Sequence, residues 1–231
     1  MRIISLFVVI IVFFASCSGR GSKTDEGWIL LFDGKTTEGW RGAMKETMPE
    51  NGWIVNDGVL ETLPKNEGGS GGDILTIEKF SNFELVFDFK IPEGANSGVK
   101  YYVTENVYDK GALGLEYQIL DDVKHPDAKM GINGNRTLAS LYDIMPAKDK
   151  YFNGIDQWNT GRIIAKDNHI EHWLNNIKVL EYERGSEQFK EMIAISKFAN
   201  MQNFGEAPEG HILLQDHGDK VWYRNLKIRK L

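Results

Sequence analysis

The stretch Phe83-Glu-Leu-Val-Phe-Asp-Phe-Lys-Ile91 decides the fold. Phe83, Leu85, Phe87, Phe89 and Ile91 alternate with Glu84, Val86, Asp88 and Lys90, a period of two that buries one face of a strand and leaves the other mostly wet. Working outward, strand-like runs recur on both sides: Trp28 to Phe32, Trp53 to Leu60, Val99 to Val103, Gly114 to Leu120, Arg162 to Lys166, His169 to Leu174, Ile177 to Glu183, His211 to Gln215 and Val221 to Lys230. Asp167-Asn168 and Asn175-Asn176 tolerate positive φ, so Arg162 to Glu183 reads as a three-stranded meander with tight hairpins. One segment departs from the pattern. Ser186 ahead of Glu187, Phe189, Met192 and Ile193 reads as an N-capped helix of two or three turns. Glu67-Gly-Gly-Ser-Gly-Gly72 neither follows a buried strand nor opens a helix, so it lacks the context of a phosphate loop and reads as a flexible surface loop. Together these features predict an all-β fold, a jelly-roll sandwich of two antiparallel sheets with one short helix.

The chain opens with a basic Arg2, an apolar run from Ile3 to Phe14, then Ala15-Ser16 before Cys17. The run is well short of the roughly 20 residues that span a bilayer, and small residues before a cysteine describe a secretory signal ending in a bacterial lipobox. The sequence therefore predicts a signal peptide over 1–16, a lipidated Cys17 with a polar tether over 17–26, and one domain over 27–231. The product is an exported, membrane-anchored lipoprotein on the periplasmic face or the cell surface. Cys17 is the only cysteine, so the domain has no disulfides and rests on its core alone. A net charge of −6 suits no polyanion, which excludes nucleic acid as a partner.

Polar residues in phase along strands mark where chemistry can sit. In Gly114-Leu-Glu-Tyr-Gln-Ile-Leu120, Glu116 and Gln118 share one face, Gln215 and His217 are in phase after His211, and Lys100 pairs with Tyr102. A solvated outer face and a sheet face that binds a polar ligand both fit this pattern. The tryptophans suit stacking on sugar rings. Most belong in a core, and Trp173, near a hairpin, is the one expected to be a platform. His169 and His172 lie three apart on a strand, which sends them to opposite faces and makes a poor zinc pair.

Several stretches together resemble one family. They are Leu31-Phe-Asp-Gly-Lys35 with Gly39-Trp40, Asn96-Ser-Gly98, Glu116-Tyr-Gln-Ile-Leu-Asp-Asp122, His125-Pro126, Trp158-Asn159, His172-Trp-Leu-Asn175, Ser196-Lys-Phe198, Gly210 to Gly218 and Arg224-Asn225. In number and order they look like the 3-keto-disaccharide hydrolase family, long carried as a domain of unknown function and abundant in secreted lipoproteins of Bacteroidetes. The resemblance covers about Trp28 to Leu231. It implies a concanavalin A-like sandwich and action on glycosides that a separate dehydrogenase has oxidised at C3.

A carbonyl at C3 acidifies the hydrogen on C2, so a modest base can remove it and the C1 substituent leaves by β-elimination. Such a site needs a base near C2, a cation or donors for the enolate oxygen, and a proton for the leaving group. It does not need the paired carboxylates of ordinary glycosidases, roughly 5–10 Å apart. Retaining β-sandwich glycosidases carry Glu-x-Asp-x-Glu on one strand face, whereas this one reads Glu116, Gln118, Leu120.

On this chemistry Glu116 is the leading acid/base, with His217 and His125 as alternative proton carriers because imidazole titrates near neutrality. Gln118 and Gln215 orient hydroxyls, Lys197 or Lys100 stabilises an enolate oxygen, and Tyr142 donates a hydrogen bond. No cofactor is required. Asp121, Asp122 and Asp127, with His125, form an acidic loop that either holds calcium or another divalent cation or is merely solvated. A non-catalytic carbohydrate-binding lipoprotein and a conventional glycoside hydrolase remain as alternatives.

Overall fold

The computed structural model describes residues 27–107 and 111–231; the signal and Cys17 lie outside them. In chain order the strands are β1 (Ile29–Leu30), β2 (Trp40–Gly42), β3 (Trp53–Asn56), β4 (Val59–Thr62), β5 (Ile74–Thr76), β6 (Phe83–Lys90), β7 (Asn96–Glu105), β8 (Ala112–Leu120), β9 (Asn159–Lys166), β10 (His169–Leu174), β11 (Ile177–Glu183), β12 (His211–Leu214) and β13 (Trp222–Lys230), with one α-helix, α1 (Glu187–Ala194). They form two antiparallel sheets. Sheet A runs β11-β10-β9-β6-β13-β4-β3 with β1 beside β13, and sheet B runs β2-β5-β12-β7-β8.

Alternation builds the core. Phe83, Leu85, Phe87 and Phe89 of β6 meet Val99, Tyr101, Tyr117, Ile119 and Leu214 of sheet B in one buried cluster. A separate small cluster of Leu75, Val103 and Leu213 lies outside that core. The Leu213↔Leu75 register puts two of its members on one face of sheet B, in phase with Lys100, so sheet B buries part of its outer face too. The meander from β9 to β11 is present, with Asn175 and Asn176 both at positive φ. Ser186 caps α1, its hydroxyl accepting the Phe189 N–H at 3.2 Å.

Three expectations change, and two strands come without a sequence signal. Trp53 to Leu60 is not one strand: Asp57 and Gly58 both take positive φ and fold it into the β3–β4 hairpin, which is the turn chemistry such a pair favours. Strands β2 and β5, three residues each, are too short to show a period. Tyr102 is not in phase with Lys100, because β7 bulges after Tyr101 and Tyr102 sits at φ 52°. Its ring turns into the core beside Phe83, and its hydroxyl donates to the Ser81 carbonyl. The glycine-rich loop is packed rather than loose: a Cβ on Gly71 would stand 1.9 Å from the Asn51 carbonyl oxygen, and one on Gly69 would stand 1.8 Å from that of Leu63. Glycine is needed there for backbone to meet backbone.

Candidate active site

The site grows from the outer face of sheet B. Lys100 of β7 is in register with Glu116 of β8, and Gly98 with Gln118. The N–H of Gln215, just past β12, donates to the Gly98 carbonyl at 3.0 Å. Lys100, Glu116, Gln118 and Gln215 therefore share one side of the sheet, and all four are buried, Glu116 to 6% exposure. Gly98 makes room for this arrangement, since a Cβ there would stand 2.6 Å from Glu116 Oε1.

Beyond β8 the chain folds back and covers its edge. Ala139 N–H donates to the Gln118 carbonyl, Gln118 N–H to that of Ser140, and Tyr142 N–H to that of Glu116. Tyr142 is thereby laid beside the acid. Ala139 holds φ 63°, an unfavourable conformation for alanine. Its carbonyl is gripped by His172, whose Nδ1 lies 2.9 Å away. A carbonyl only accepts, so Nδ1 carries the proton. Burial pushes this imidazole down to about 4, leaving Nε2 free to accept from Tyr101 at 2.8 Å, while Tyr182 donates to Tyr101 at 2.6 Å. This wholly buried chain of bonds pins the loop that carries Tyr142.

Charges converge on Glu116. Burial raises its carboxyl above the ordinary value, while Lys100 and Lys197 oppose that rise. Lys100 Nζ lies 4.0 Å from Glu116 Oε2 and 3.6 Å from Asp73 Oδ2. Lys197 enters from the segment after α1, its Nζ 4.0 Å from the centre of the Tyr142 ring, and desolvation lowers its ammonium. Asp143 anchors that segment by accepting the Lys197 N–H at 2.6 Å. Arg136 ties Asp143 to Asp127 and lies over the Tyr142 ring. Burial and the neighbouring Asp127 push the Tyr142 hydroxyl up, so it stays a donor at neutral pH.

Both histidines belong to this neighbourhood. Desolvation, then Lys100, lowers the His217 imidazole, and His125 is among the charges acting on it. His125 Nδ1 accepts the Asp127 N–H at 3.2 Å. A neutral His125 thus presents its other nitrogen, Nε2, as an N–H donor.

Glu116, Gln118, Gln215, Lys100, Lys197, Tyr142, His217 and His125 therefore come together as residues of one region. Trp173 does not. It points from β10 to the outer face of sheet A, under the Arg162 guanidinium at 4.2 Å, with its N–H donating to Glu171. Its neighbour His172 points into the core, because successive strand residues face opposite ways. The acidic loop does not converge on one centre either. Asp121 accepts backbone N–H groups from Gly94, Val123 and Lys124, Asp122 pairs with Lys150 at 2.6 Å, and Asp127 pairs with Arg136. His169, Glu171 and Glu181 are close enough to share an ion, but Lys178 already bridges both carboxylates and His169 bonds Glu183.

Sequence reading missed Asp73, Arg136 and Asp143, and gave Gly98, part of the Asn96-Ser-Gly98 motif, no role of its own. Asp73 is the consequential one: Lys100 holds it and Glu116 within about 8 Å of one another, in the range of paired glycosidase carboxylates. It is delivered by the packed glycine loop, whose Gly72 N–H donates to Asp216 at 3.1 Å while Asp73 accepts the Asp216 N–H at 2.9 Å. A cavity of about 470 Å³ is walled by Leu120, Val123, Leu138, Phe152 and Ile155; Glu116 and Lys100 are not on its walls.

Residues 27–229 match the model of the 3-keto-α-glucoside-1,2-lyase-like domain. The chain is 37% identical to a 3-keto-disaccharide hydrolase of Bacteroides thetaiotaomicron, over 89% of this chain and 79% of that one. A crystal structure from Parabacteroides distasonis, of a protein provisionally named a glycosyl hydrolase, superposes with a TM-score of 0.78 at 31% identity, covering 92% of this chain and 99% of that one. The lumenal domain of VIP36, at 11% identity and a TM-score of 0.53 over 90% of each chain, shares the fold alone. With residues 27–229 matched by the family's model, this protein belongs to the 3-keto-α-glucoside-1,2-lyase-like family.

Proposed function

We propose that this protein cleaves the glycosidic bond of 3-keto glycosides by removing the C2 proton and eliminating the C1 substituent. The carrying observation is Glu116: a buried carboxylate, raised by desolvation, with Lys100 and Lys197 as the cations that act most strongly on it. A raised carboxyl is a better base than an exposed one, and burial beside lysines stabilises negative charge that develops on a carbonyl oxygen.

The steps balance as follows. Glu116 takes the C2 hydrogen as a proton, and the C–H electrons form C2=C3 while the C3 oxygen becomes an enolate held by Lys197 or Lys100. The enolate returns to a carbonyl, a C1=C2 bond forms, and the C1–O bond breaks with its electrons on the leaving oxygen. His217, as the imidazolium, supplies the proton that oxygen needs and recovers one from the water that adds next, while the His125 Nε2–H donates a hydrogen bond to the same oxygen. Addition of water across C1=C2 then places hydroxyl on C1 and returns a proton to C2, giving net hydrolysis. The 37% identity to a protein named for 3-keto-disaccharides supports this substrate class. By the same chemistry a separate 3-dehydrogenase supplies the substrate, and the Arg2 to Cys17 pattern supports a lipid-anchored, exported protein.

Asp73 supports a second reading, conventional hydrolysis by a carboxylate pair with Glu116. One experiment separates the two. The domain from Ser18 onward is incubated in D2O with a glucoside and with its 3-keto derivative, as wild type and Glu116→Gln. Aglycone release and C2 deuteration confined to the keto substrate, both lost in the variant, are expected. Cleavage of the unoxidised glucoside without C2 exchange would replace elimination by the Asp73 reading, and binding without turnover of either would favour a carbohydrate-binding module.

A further inference from the structure

Among the described residues, four buried side-chain polar atoms have no hydrogen-bond partner: Asn96 Oδ1, Asp127 Oδ2, Gln215 Oε1 and Arg184 Nε. Arg184 lies elsewhere, over the Tyr102 ring. The other three are oxygens: those of Asn96 and Gln215 lie on the side of sheet B that carries Glu116, whereas Asp127 is already paired with Arg136 and acts on the Tyr142 hydroxyl. Asn96 is two residues before Gly98 on β7, so it shares that strand's outer side, and Gln215 is bonded to Gly98 through its backbone. Asp127 acts on Glu116 directly.

A buried acceptor left unpaired costs about 1–3 kcal/mol, and most such groups in folded proteins find a partner. Two such amide oxygens on one sheet face, at Asn96 and Gln215, call for a ligand that donates hydrogen bonds. Gln118 shows the contrast: on the same face, its oxygen already accepts the Ile119 N–H at 3.2 Å, so it is spent on the fold.

We propose that the unpaired amide oxygens of Asn96 and Gln215 form a cradle that reads the free hydroxyls of the substrate's pyranose ring, with Asn96 as a specificity-determining residue. This rests on the 3-keto glycoside reading and deepens it. The keto oxygen at C3 can only accept, so it belongs on the Lys100 and Lys197 side of the site. The hydroxyls left on the ring can donate, and they belong on the Asn96 and Gln215 side. The two halves of the site thus orient the ring by polarity, with no metal or cofactor invoked.

The test uses the whole domain with a 3-keto glucoside and its 4-deoxy and 6-deoxy counterparts, comparing wild type with Asn96→Ala. The variant is expected to raise KM about tenfold on the parent substrate and to lose this penalty on one deoxy substrate, where both proteins share the same KM within twofold. Because the free protein makes no bond to Asn96 Oδ1, its melting temperature should not fall, which distinguishes recognition from a structural role. An equal penalty on all three substrates, or none on any, would overturn the proposal. Turnover by wild type is read separately: if the keto glucoside is not cleaved at all, the underlying reading has failed. In that case calorimetric binding of the same three sugars decides whether Asn96 still reads a hydroxyl.

Discussion

The outer faces of the two sheets carry similar residues and hold them in different states. On sheet A every half-buried tryptophan is capped: Lys90 lies between Trp222 and Trp158 at 4.3 and 5.3 Å, Arg224 covers Trp158 at 4.0 Å, and Arg162 covers Trp173. Glu84 and Asp88 neutralise the cations, pairing with Arg162, Arg229 and Arg224. These pairs and ring contacts close that face. On sheet B the polar residues are less fully answered, with a raised carboxyl, two lysines and the unpaired amide oxygens of Asn96 and Gln215 on one face. Unmet polar groups, rather than polar or aromatic residues as such, mark the place where a ligand belongs.

The largest test of this contrast is Glu116→Gln. Loss of a general base costs typically 10²- to 10⁴-fold, and kcat/KM on the keto substrate should fall within that range while the melting temperature holds or rises, since a buried ionisable group has been replaced by a neutral one of the same shape. A fall below fivefold would remove Glu116 from the chemistry and leave the two faces on equal terms.

The next effect lies between the faces. His172 is neutral in the folded protein, at about 4, against an ordinary imidazole value of 6.5. Above pH 6.5 both folded and unfolded forms are neutral and the contribution is complete. As pH falls from 6.5 toward 4 the unfolded chain takes up a proton that the folded one refuses, and about 3 kcal/mol is lost. Urea unfolding from pH 7 to 4.5 should show a slope of about 1.4 kcal/mol per pH unit that is absent in His172→Gln. Equal slopes would mean that the ring protonates in place, and that the clamp on Ala139 is not what holds the Tyr142 loop.

Gly98→Ala probes the site without removing a polar atom. The new Cβ would sit 2.6 Å from Glu116 Oε1, closer than contact permits, so the carboxylate must swing away. A misplacement of this size costs up to about 100-fold in rate, so a 10- to 100-fold drop in kcat is expected with secondary structure intact by circular dichroism. Unchanged kcat would show that Glu116 has another productive rotamer and that the glycine only eases strand packing.

These cases also show what the sequence could reveal. Phe83 to Ile91 was legible because its partners are the core itself: a strand that buries aromatic residues on alternate positions needs no knowledge of what lies opposite. Glu116 and Gln118 were legible as an in-phase pair. Whether their face was closed or open was not, because closure depends on residues far off in the chain, as with Asp73 meeting Lys100. Tyr102 was misread because a bulge breaks the period on which the reading relied. The glycine loop was misread because its packing depends on absent side chains, which leave no positive signal.

Trp173 gives the smallest effect and the sharpest use of the comparison. It follows His172 in β10, and a single step along the strand carries the chain from the clamp beneath the site to the closed face of sheet A. The ring is already engaged by Arg162 and Glu171, so it offers a sugar no free platform. Trp173→Ala should change kcat/KM on the keto substrate by less than threefold. It should cost about 0.5–1 kcal/mol of stability through the lost cation–π contact, with some further loss of packing, read by urea unfolding at pH 7. A tenfold rise in KM with no loss of stability would reverse this picture: the ring would then leave Arg162 for the substrate, and the capped face of sheet A would be a second place where glycan is held.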